Sequence, residues 1–389
     1  MLPATGIHAP LLQEKKQGEK RASVYGAVFN VSTSIIGAGI MSIPATLKVL
    51  GVIPAFLLIT IVAWLVDISV KFLLRYTHSG DTTTYAGVMR EAFGRVGSVS
   101  VQVCVMITNL GCLIIYLIII GDVLSGNVHD GSVHLGVLQE WFGIHWWNSR
   151  AFALLVVVIF VMLPLVLFRR VESLRFSSAI SVLLAVVFVG ICSFIQSVSS
   201  SADLRIWFQQ LKISLLLCAA IYFSIGIFGY LLFGESIMAD ILINFDQSSD
   251  TAIGALLNDI VRLSYAFHLM LVFPLLNFSL RANIDELLFP RKLLLAKDSI
   301  RFVSLTLVLL VFAYLAAIEI PNIWYFFQFM GSTSAVCLAF IFPGAIVLRD
   351  VHSISTAQDK IMAAVMIILA VATSTIALST SIFSLVRNK

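Results

Sequence analysis

The chain has 389 residues, of which 59% are hydrophobic and only 12% are charged. Soluble domains contain about 45–50% apolar and about 25% charged residues, so this composition excludes a water-soluble globular protein. The formal net charge of +4 is small and is divided among loops, which excludes nucleic acid as a partner, because such binding needs a continuous basic surface.

Ten predominantly apolar segments approach or exceed the roughly 20 residues that a helix needs to cross a bilayer. In chain order they cover residues 24–47, 52–74, 98–121, 151–168, 176–198, 213–233, 260–280, 302–318, 323–348 and 361–386. Helix is the expected form, because lipid offers no partner for unpaired backbone groups and the segments lack the alternation of a barrel. The sequence therefore predicts an all-α polytopic membrane protein with about ten transmembrane helices.

Basic residues in short loops favour the cytoplasmic side, and the polar tail over residues 1–23 contains Lys15, Lys16, Lys20 and Arg21. The amino terminus is therefore expected in the cytoplasm. If ten helices simply alternate, the basic loop 281–301 lies outside and the acidic loop 234–259 lies inside, which reverses the rule. One more crossing after the fifth segment would correct both loops. Residues 199–212 cannot supply it, because as a helix they would reach about 21 Å, short of the roughly 30 Å hydrocarbon core.

The first apolar segment contains a run of small and polar residues over positions 29–44. Gly37 and Gly39 lower the cost of leaving helical geometry, and Pro44 suits the first turn of a new helix with Ser42 near the cap position. The run predicts a discontinuous helix. Such a break is tolerated at mid-membrane depth only beside an enclosed cavity, where freed N–H groups and carbonyls suit a zwitterionic amino acid. Close helix packing through small residues is the alternative.

Three stretches with a distinctive combination of residues cover positions 30–44, 116–124 (YLIIIGDVL) and 331–344 (GSTSAVC followed by FPG), and the loop 141–147 reads WFGIHWW. Together they resemble the amino acid/auxin permease family, and within it the plant vacuolar amino-acid transporter group related to the sodium-coupled neutral amino-acid transporters. The resemblance covers nearly all of residues 24–386. It implies eleven helices, with the first five and the next five forming inverted repeats around a mid-membrane site that the first and sixth helices line.

The resemblance runs to about Ser193 and resumes near Lys212, so the sixth helix of the family has no counterpart. The chain is thus expected to have an inverted-repeat architecture with one helix missing, in which the transmembrane domain spans residues 24–386. The first repeat covers 24–198, the incomplete second repeat 213–348, and an extra helix 361–386. A truncated isoform or a gene model with a skipped exon would account for this.

The break and the resemblance together indicate a secondary active transporter of neutral L-amino acids, and the resemblance implies a vacuolar or other endomembrane. The expected substrate-binding residues lie around the break and on the third helix, namely Ser32, Thr33, Ser34, Gly37, Ala38, Gly39, Ile40, Met41 and Asn109. An interhelical hydrogen bond is the alternative role of Asn109. A non-transporting regulatory or amino-acid-sensing membrane protein is the alternative function, because half of the expected site is absent.

The sequence shows no nucleophile with a base, no phosphate loop and no paired carboxylates, so we expect neither an enzyme nor a cofactor. Its five cysteines lie in apolar segments without a CxxC pair or a neighbouring histidine. Such cysteines are typical of small packing residues and do not predict a metal site. The expected partners are the lipid bilayer, the amino-acid substrate and the coupling ion.

The resemblance also bears on the coupling ion. Sodium-coupled relatives carry Asn where this sequence has Thr33, and carry hydroxyl residues in the helix that matches Phe267, His268, Met270 and Val272. Because sodium prefers several oxygen ligands, this favours protons over sodium. The candidate proton carriers are His268, whose ordinary pKa is near neutrality, and Asp67. The alternatives are a buried packing role for His268 and an intrahelical ion pair between Asp67 and Lys71.

Overall fold

The computed structural model describes residues 37–82, 84–129, 132–167, 203–238, 241–245, 252–289, 295, 298–320 and 323–387. Its first helices are α1 Ile43–Leu50, α2 Val52–Ser79, α3 Tyr85–Ser125, α4 Val137–Phe142, α5 Arg150–Val157 and α6 Leu163–Val166. The later helices are α7 Asp203–Phe233, α8 Ile241–Asn244, α9 Ala252–Leu288, α10 Ser299–Glu319, α11 Ile323–Met330, α12 Phe342–Arg349 and α13 Ala357–Arg387.

Shorter elements join these helices. Turns of 3₁₀ helix cover Ala38–Ser42, Trp146–Asn148 and Gly234–Ser236, and π-helical segments cover Val158–Met162, Gly331–Ala335 and Cys337–Ile341. A small antiparallel ribbon pairs β1 (Asn127–His129) with β2 (Ser132–His134). The ribbon and α4 lie in the loop between the third and fourth predicted spans, for which hydropathy predicts no structure.

Among the described residues, seven helices are long and apolar enough to cross a membrane. They are Val52–Ser79, Tyr85–Ser125, Cys218–Ser236, Asn258–Leu288, Ser299–Glu319, Phe326–Arg349 and Ala357–Thr380, and two shorter apolar helices cover Gly39–Leu50 and Arg150–Val166. Large apolar side chains such as Ile300 and Phe160 point outward, as contact with lipid tails requires. The all-α polytopic prediction is confirmed. The fifth predicted span, 176–198, lies outside the described residues.

Helix α3 forms the centre of the bundle together with α9. Its segment Leu113–Ile120 is buried on every side, with each side chain at most 4% exposed, as expected for a helix that is apolar all round. The amide of Asn109 donates to the hydroxyl of Ser279 at 3.0 Å, whereas Leu124 and Ser264 line one pocket nearer the other end. These contacts make α3 and α9 antiparallel neighbours.

Contacts at the helix ends sort the loops onto two sides of the bundle. On the side that we call the basic side, the hydroxyl of Tyr76 in α2 donates to Asp350 after α12 at 2.6 Å. Arg281 in α9 donates to the carbonyl of Val166 in α6 at 3.2 Å on the same side. The basic loop 281–301 therefore lies on the same side as the basic α2–α3 loop. This agrees with the charge rule and not with ten alternating helices.

The opposite side, which we call the acidic side, contains the α1–α2 turn, the loop 126–149 and the end of α7. Lys48 near the end of α1 donates to the carbonyl of Glu235 just after α7 at 2.6 Å, and Gly226 of α7 packs against Leu47 of α1. Helices α1 and α7 thus run in the same direction. It follows that α7 begins on the basic side, which is also where α6 ends.

Candidate functional site

From Gly37 onward, the structure describes the chain at the predicted break. Gly37 is extended, with φ −115° and ψ −166°, and the 3₁₀ turn Ala38–Ser42 then leads into α1, which has Pro44 in its first turn. Ser42 occupies the cap position, as the sequence predicts. Its hydroxyl nevertheless donates to the carbonyl of Gly39 at 2.9 Å and caps no N–H group of α1.

The structure describes only the part of the break that begins at Gly37. Three of the predicted substrate-binding residues, Ser32, Thr33 and Ser34, lie outside the described residues, and so does the helix predicted to precede them. The two glycines at the break have different surroundings. A Cβ at Gly37 would lie 2.9 Å from the hydroxyl of Tyr116, whereas a Cβ at Gly39 would meet no atom within 4 Å. Gly37 is therefore needed for a close contact, and Gly39 faces open space.

A cavity of about 330 Å³ adjoins the break. The 3₁₀ turn contributes Ile40 and Met41 to its lining, and α9 contributes Tyr265 and His268. Most of the remaining lining is apolar and comes from α7 and the α8 region, namely Ile221, Ile225, Phe228, Gly229, Leu232, Ile241, Leu242 and Phe245. Of the predicted site residues, the structure thus brings Ile40, Met41 and His268 together around one cavity.

The polar wall of this cavity is built by α9. The hydroxyl of Tyr265 donates to the carbonyl of Gly37 at 3.1 Å, and its ring stacks on the imidazole of His268 with centroids 5.9 Å apart and planes 19° apart. Ser264 also lines the cavity. Sequence reasoning missed Tyr265, although its position three residues before His268 puts both side chains on one face of a helix.

Two predicted site residues lie elsewhere. Asn109 does not line the cavity and forms the interhelical hydrogen bond with Ser279, which was its alternative role. Asp67 pairs with Lys71 one turn later in α2, also as the alternative interpretation has it. The second oxygen of Asp67, Oδ1, is buried without a hydrogen-bond partner. Within the described ranges, no three His, Cys, Asp or Glu residues are grouped as metal ligands.

A family described as transmembrane amino acid transporter protein matches residues 20–207 and, separately, residues 190–386. The chain belongs to this family. The expected resemblance is thereby confirmed, and the chain is an integral multi-pass membrane protein of an amino-acid transporter family. The two matches overlap around residue 200, close to where α7 begins.

Named relatives of this transporter family extend the comparison. The chain is 56% identical to "Amino acid transporter AVT6C" of Arabidopsis thaliana over the whole of both chains. It is 53% identical to "Amino acid transporter AVT6D" of the same plant, over 99% of this chain and 98% of that one. At 24% identity it is similar to "Sodium-coupled neutral amino acid transporter 7" of Danio rerio, over 84% of this chain and 79% of that one.

Proposed function

We propose that this chain is built as a proton-coupled secondary transporter of neutral L-amino acids, with its substrate site in the cavity beside the α1 break. The observation that carries the proposal is the meeting of three features at one point. Gly37 is extended and accepts the hydrogen bond of Tyr265, the 3₁₀ turn that leads into α1 places Ile40 and Met41 on the 330 Å³ cavity, and the Tyr265 and His268 side chains line the same cavity. Main-chain groups at a helix start suit a carboxylate.

The chemistry of the cavity supports a neutral substrate side chain. Apart from Tyr265 and His268, its described lining has no ionisable side chain. A charged substrate side chain would lose its hydration there without gaining a partner of opposite charge, which is costly. Ile225, Phe228 and Leu242 instead offer apolar contact.

The same lining supports proton coupling. His268 is 5% exposed and, among the described lining residues, is the one whose ordinary pKa is near neutrality. Ser264 and Tyr265 supply the only side-chain oxygens among the described lining residues, and sodium needs several oxygen ligands. Asp67 remains a second proposed proton carrier, since its buried Oδ1 lacks a partner.

We further propose that this chain is a short form of the family's transporter, and that its transport is impaired because one membrane crossing is absent. Leu167 and Asp203 both lie on the basic side, whereas the sequence between them contains one segment of spanning length, 176–198. From residue 198 to Asp203 an extended chain reaches only about 17 Å. The alignment with AVT6C supports the same proposal, because it covers all 389 residues of this chain across 435 positions.

Uptake by proteoliposomes tests the function. Uptake of labelled leucine, glutamine, glutamate and lysine by this chain is compared with uptake by an extended version, into which one additional apolar spanning segment is inserted between residues 198 and 203. Each is measured with and without a pH gradient and with and without sodium. We expect the extended version to take up leucine and glutamine in response to the pH gradient in sodium-free buffer. No uptake by the extended version would reject transport, and uptake of glutamate alone would reject neutral specificity.

A non-transporting amino-acid sensor is the second candidate, and the absent crossing favours it for the short form. A sensor binds substrate without moving it. Thermal stabilisation of this chain by leucine, together with zero flux, would support a sensor, whereas pH-driven flux by this chain would exclude impairment. For location, we propose a vacuolar or other endomembrane with a cytoplasmic amino terminus. Protease protection of a tag in the loop 281–301 tests the orientation.

A further inference from the structure

Helix α3 meets the π-helical region between α11 and α12 along a seam of regularly spaced contacts. Gly111 has no room for a Cβ because the sulfur of Met330 occupies that space. One turn away, the hydroxyl of Thr108 donates to the hydroxyl of Ser334 at 2.8 Å. From the first pair to the second, the position falls from 111 to 108 in α3 and rises from 330 to 334 in the partner segment. The two segments are therefore antiparallel.

The next pair along this seam consists of two cysteines. Positions 104, 108 and 111 follow the four-and-three spacing of one helix face, and positions 330, 334 and 337 follow the same spacing. The seam therefore places Cys104 opposite Cys337. Each thiol lies close enough to the other to interact with it, and both cysteines are free. The register of the seam and the proximity of the two thiols thus point to the same pair.

A further hydrogen bond joins the start of α3 to the surroundings of this pair. Both cysteines are only partly buried. The hydroxyl of Tyr85, the first residue of α3 after the α2–α3 loop, donates to the carbonyl of Leu338 at 2.9 Å. Because Leu338 follows Cys337 directly, this hydrogen bond joins the first turn of α3 to the region of the dithiol.

We propose that Cys104 and Cys337 form a reversible disulfide that regulates the protein by joining α3 to the π-helical region. A peroxide is the oxidant. The sulfur of one cysteine attacks the peroxide O–O bond to give a sulfenic acid and one water, and the second thiol then displaces a second water as the S–S bond forms. Two thiols lose two hydrogens in total, and a small-molecule thiol reverses the step by exchange.

The disulfide would restrict motion at a point where the fold is adaptable. Segments Gly331–Ala335 and Cys337–Ile341 are π-helical, a geometry that is frequent at functional sites. Helix α3 is held in the core against α9. A covalent bond between Cys104 of α3 and Cys337 therefore fixes the π-helical region to the core. An effect of the disulfide on transport rests on the proposed function, whereas formation of the disulfide does not.

The test treats the full chain in nanodiscs with hydrogen peroxide, alkylates the remaining thiols, and identifies linked peptides by mass spectrometry. We expect a peptide pair joined at Cys104 and Cys337, lighter by two hydrogens and released by dithiothreitol. The matched control moves the two cysteines to the neighbouring contact of the seam. It carries Thr108→Cys and Ser334→Cys in a protein in which Cys104→Ser and Cys337→Ser remove the native pair. Linkage of this control shows that oxidant reaches the seam.

Each possible result of this test either supports or overturns the proposed disulfide. Linkage of the control without linkage of the native pair would overturn the proposal, and so would a native link that joins Cys112 or Cys218. If neither pair links, the seam is closed to oxidant and the proposal also fails. In the extended transport-competent version, peroxide should reduce uptake reversibly, and Cys104→Ser should abolish that sensitivity. A native link with unchanged uptake would reject regulation alone.

Discussion

The hydroxyl of Tyr265 donates a 3.1 Å hydrogen bond to the carbonyl oxygen of Gly37, although 228 positions separate the two residues. The bond joins the extended chain at the break to the middle of α9. It also positions the Tyr265 ring against His268, so one side chain connects the break to the candidate proton carrier. A movement of α1 relative to α9 must break or transfer this bond.

The change Tyr265→Phe removes the bond and keeps the ring. Since one hydrogen bond contributes about 0.5–1.5 kcal/mol, we expect KM for leucine uptake by the extended version to rise about two- to tenfold. Tyr314→Phe is the matched control, because its hydroxyl also donates to a backbone carbonyl, that of Ala151 at 3.0 Å, away from the cavity. An equal rise in KM for both variants would contradict a specific role for Tyr265.

The change His268→Gln removes the titrating group from the cavity. We expect stimulation of uptake by a pH gradient to disappear while exchange of substrate across the membrane continues, because exchange needs no net proton movement. His145→Gln is the control, since His145 also stacks on an aromatic ring, that of Trp147 at 5.9 Å, but lies exposed in a loop. Full gradient stimulation in the His268 variant would exclude it as the proton carrier.

The change Gly229→Ala tests the close packing of α7 against α1 and α8. A Cβ at Gly229 would lie 2.5 Å from Ile241 and 2.8 Å from Pro44, so atoms must shift, and overpacking of this kind costs about 1–3 kcal/mol. We expect a lower melting temperature in detergent. Gly331→Ala should leave the melting temperature nearly unchanged, because a Cβ there meets no atom within 4 Å. Equal melting of the two variants would contradict the packing of α7.

The carboxylate of Asp350 makes stability depend on acid pH. The hydrogen bond from Tyr76, with further bonds from Lys360 and two backbone N–H groups, holds the pKa of Asp350 well below its usual range. A lowered pKa in the folded state means that the stabilisation is complete above the unfolded pKa of about 3.9 and is lost as pH falls toward the folded pKa. We therefore expect melting temperatures to decline below about pH 4.

The variant Asp350→Asn isolates this contribution. It removes the charge from a site where bonds to a charged group contribute on the order of 2 kcal/mol, so the variant should melt lower at pH 7 and show a smaller decline in acid. Asp81→Asn, at an exposed loop position, should retain the acid response of the unchanged chain. An acid response that survives in Asp350→Asn would assign it to other carboxylates.

The buried guanidinium of Arg281 makes a further prediction about stability. It is 2% exposed, donates to Thr306 at 2.7 Å and lies 3.8 Å from the centroid of the Phe302 ring. Lysine lacks the planar group that stacks and donates at once, so Arg281→Lys should lower the free energy of unfolding by about 1–3 kcal/mol. Arg95→Lys, on the exposed surface, should be neutral in the same thermal assay.

Hydropathy predicted the helices because contact with lipid acts on each segment separately. Segment boundaries were less accurate: α3 begins at Tyr85 rather than near residue 98, since Thr84 caps it and Gly94, with φ 66°, turns the chain before the apolar part. The span predicted over 323–348 contains two π-helical segments that hydropathy does not distinguish from α-helix.

The sequence by itself determined the membrane class and the family, and it predicted a break near Gly37 and Gly39, because hydropathy, glycine and proline act on the local backbone. Only the tertiary structure decided that Tyr265 reaches this break, that Asn109 turns to Ser279, and that Cys104 faces Cys337. Each of these depends on which helices become neighbours and in what register. Packing complementarity between segments that are distant in the sequence determines the neighbours and the register, and a local sequence pattern does not predict it.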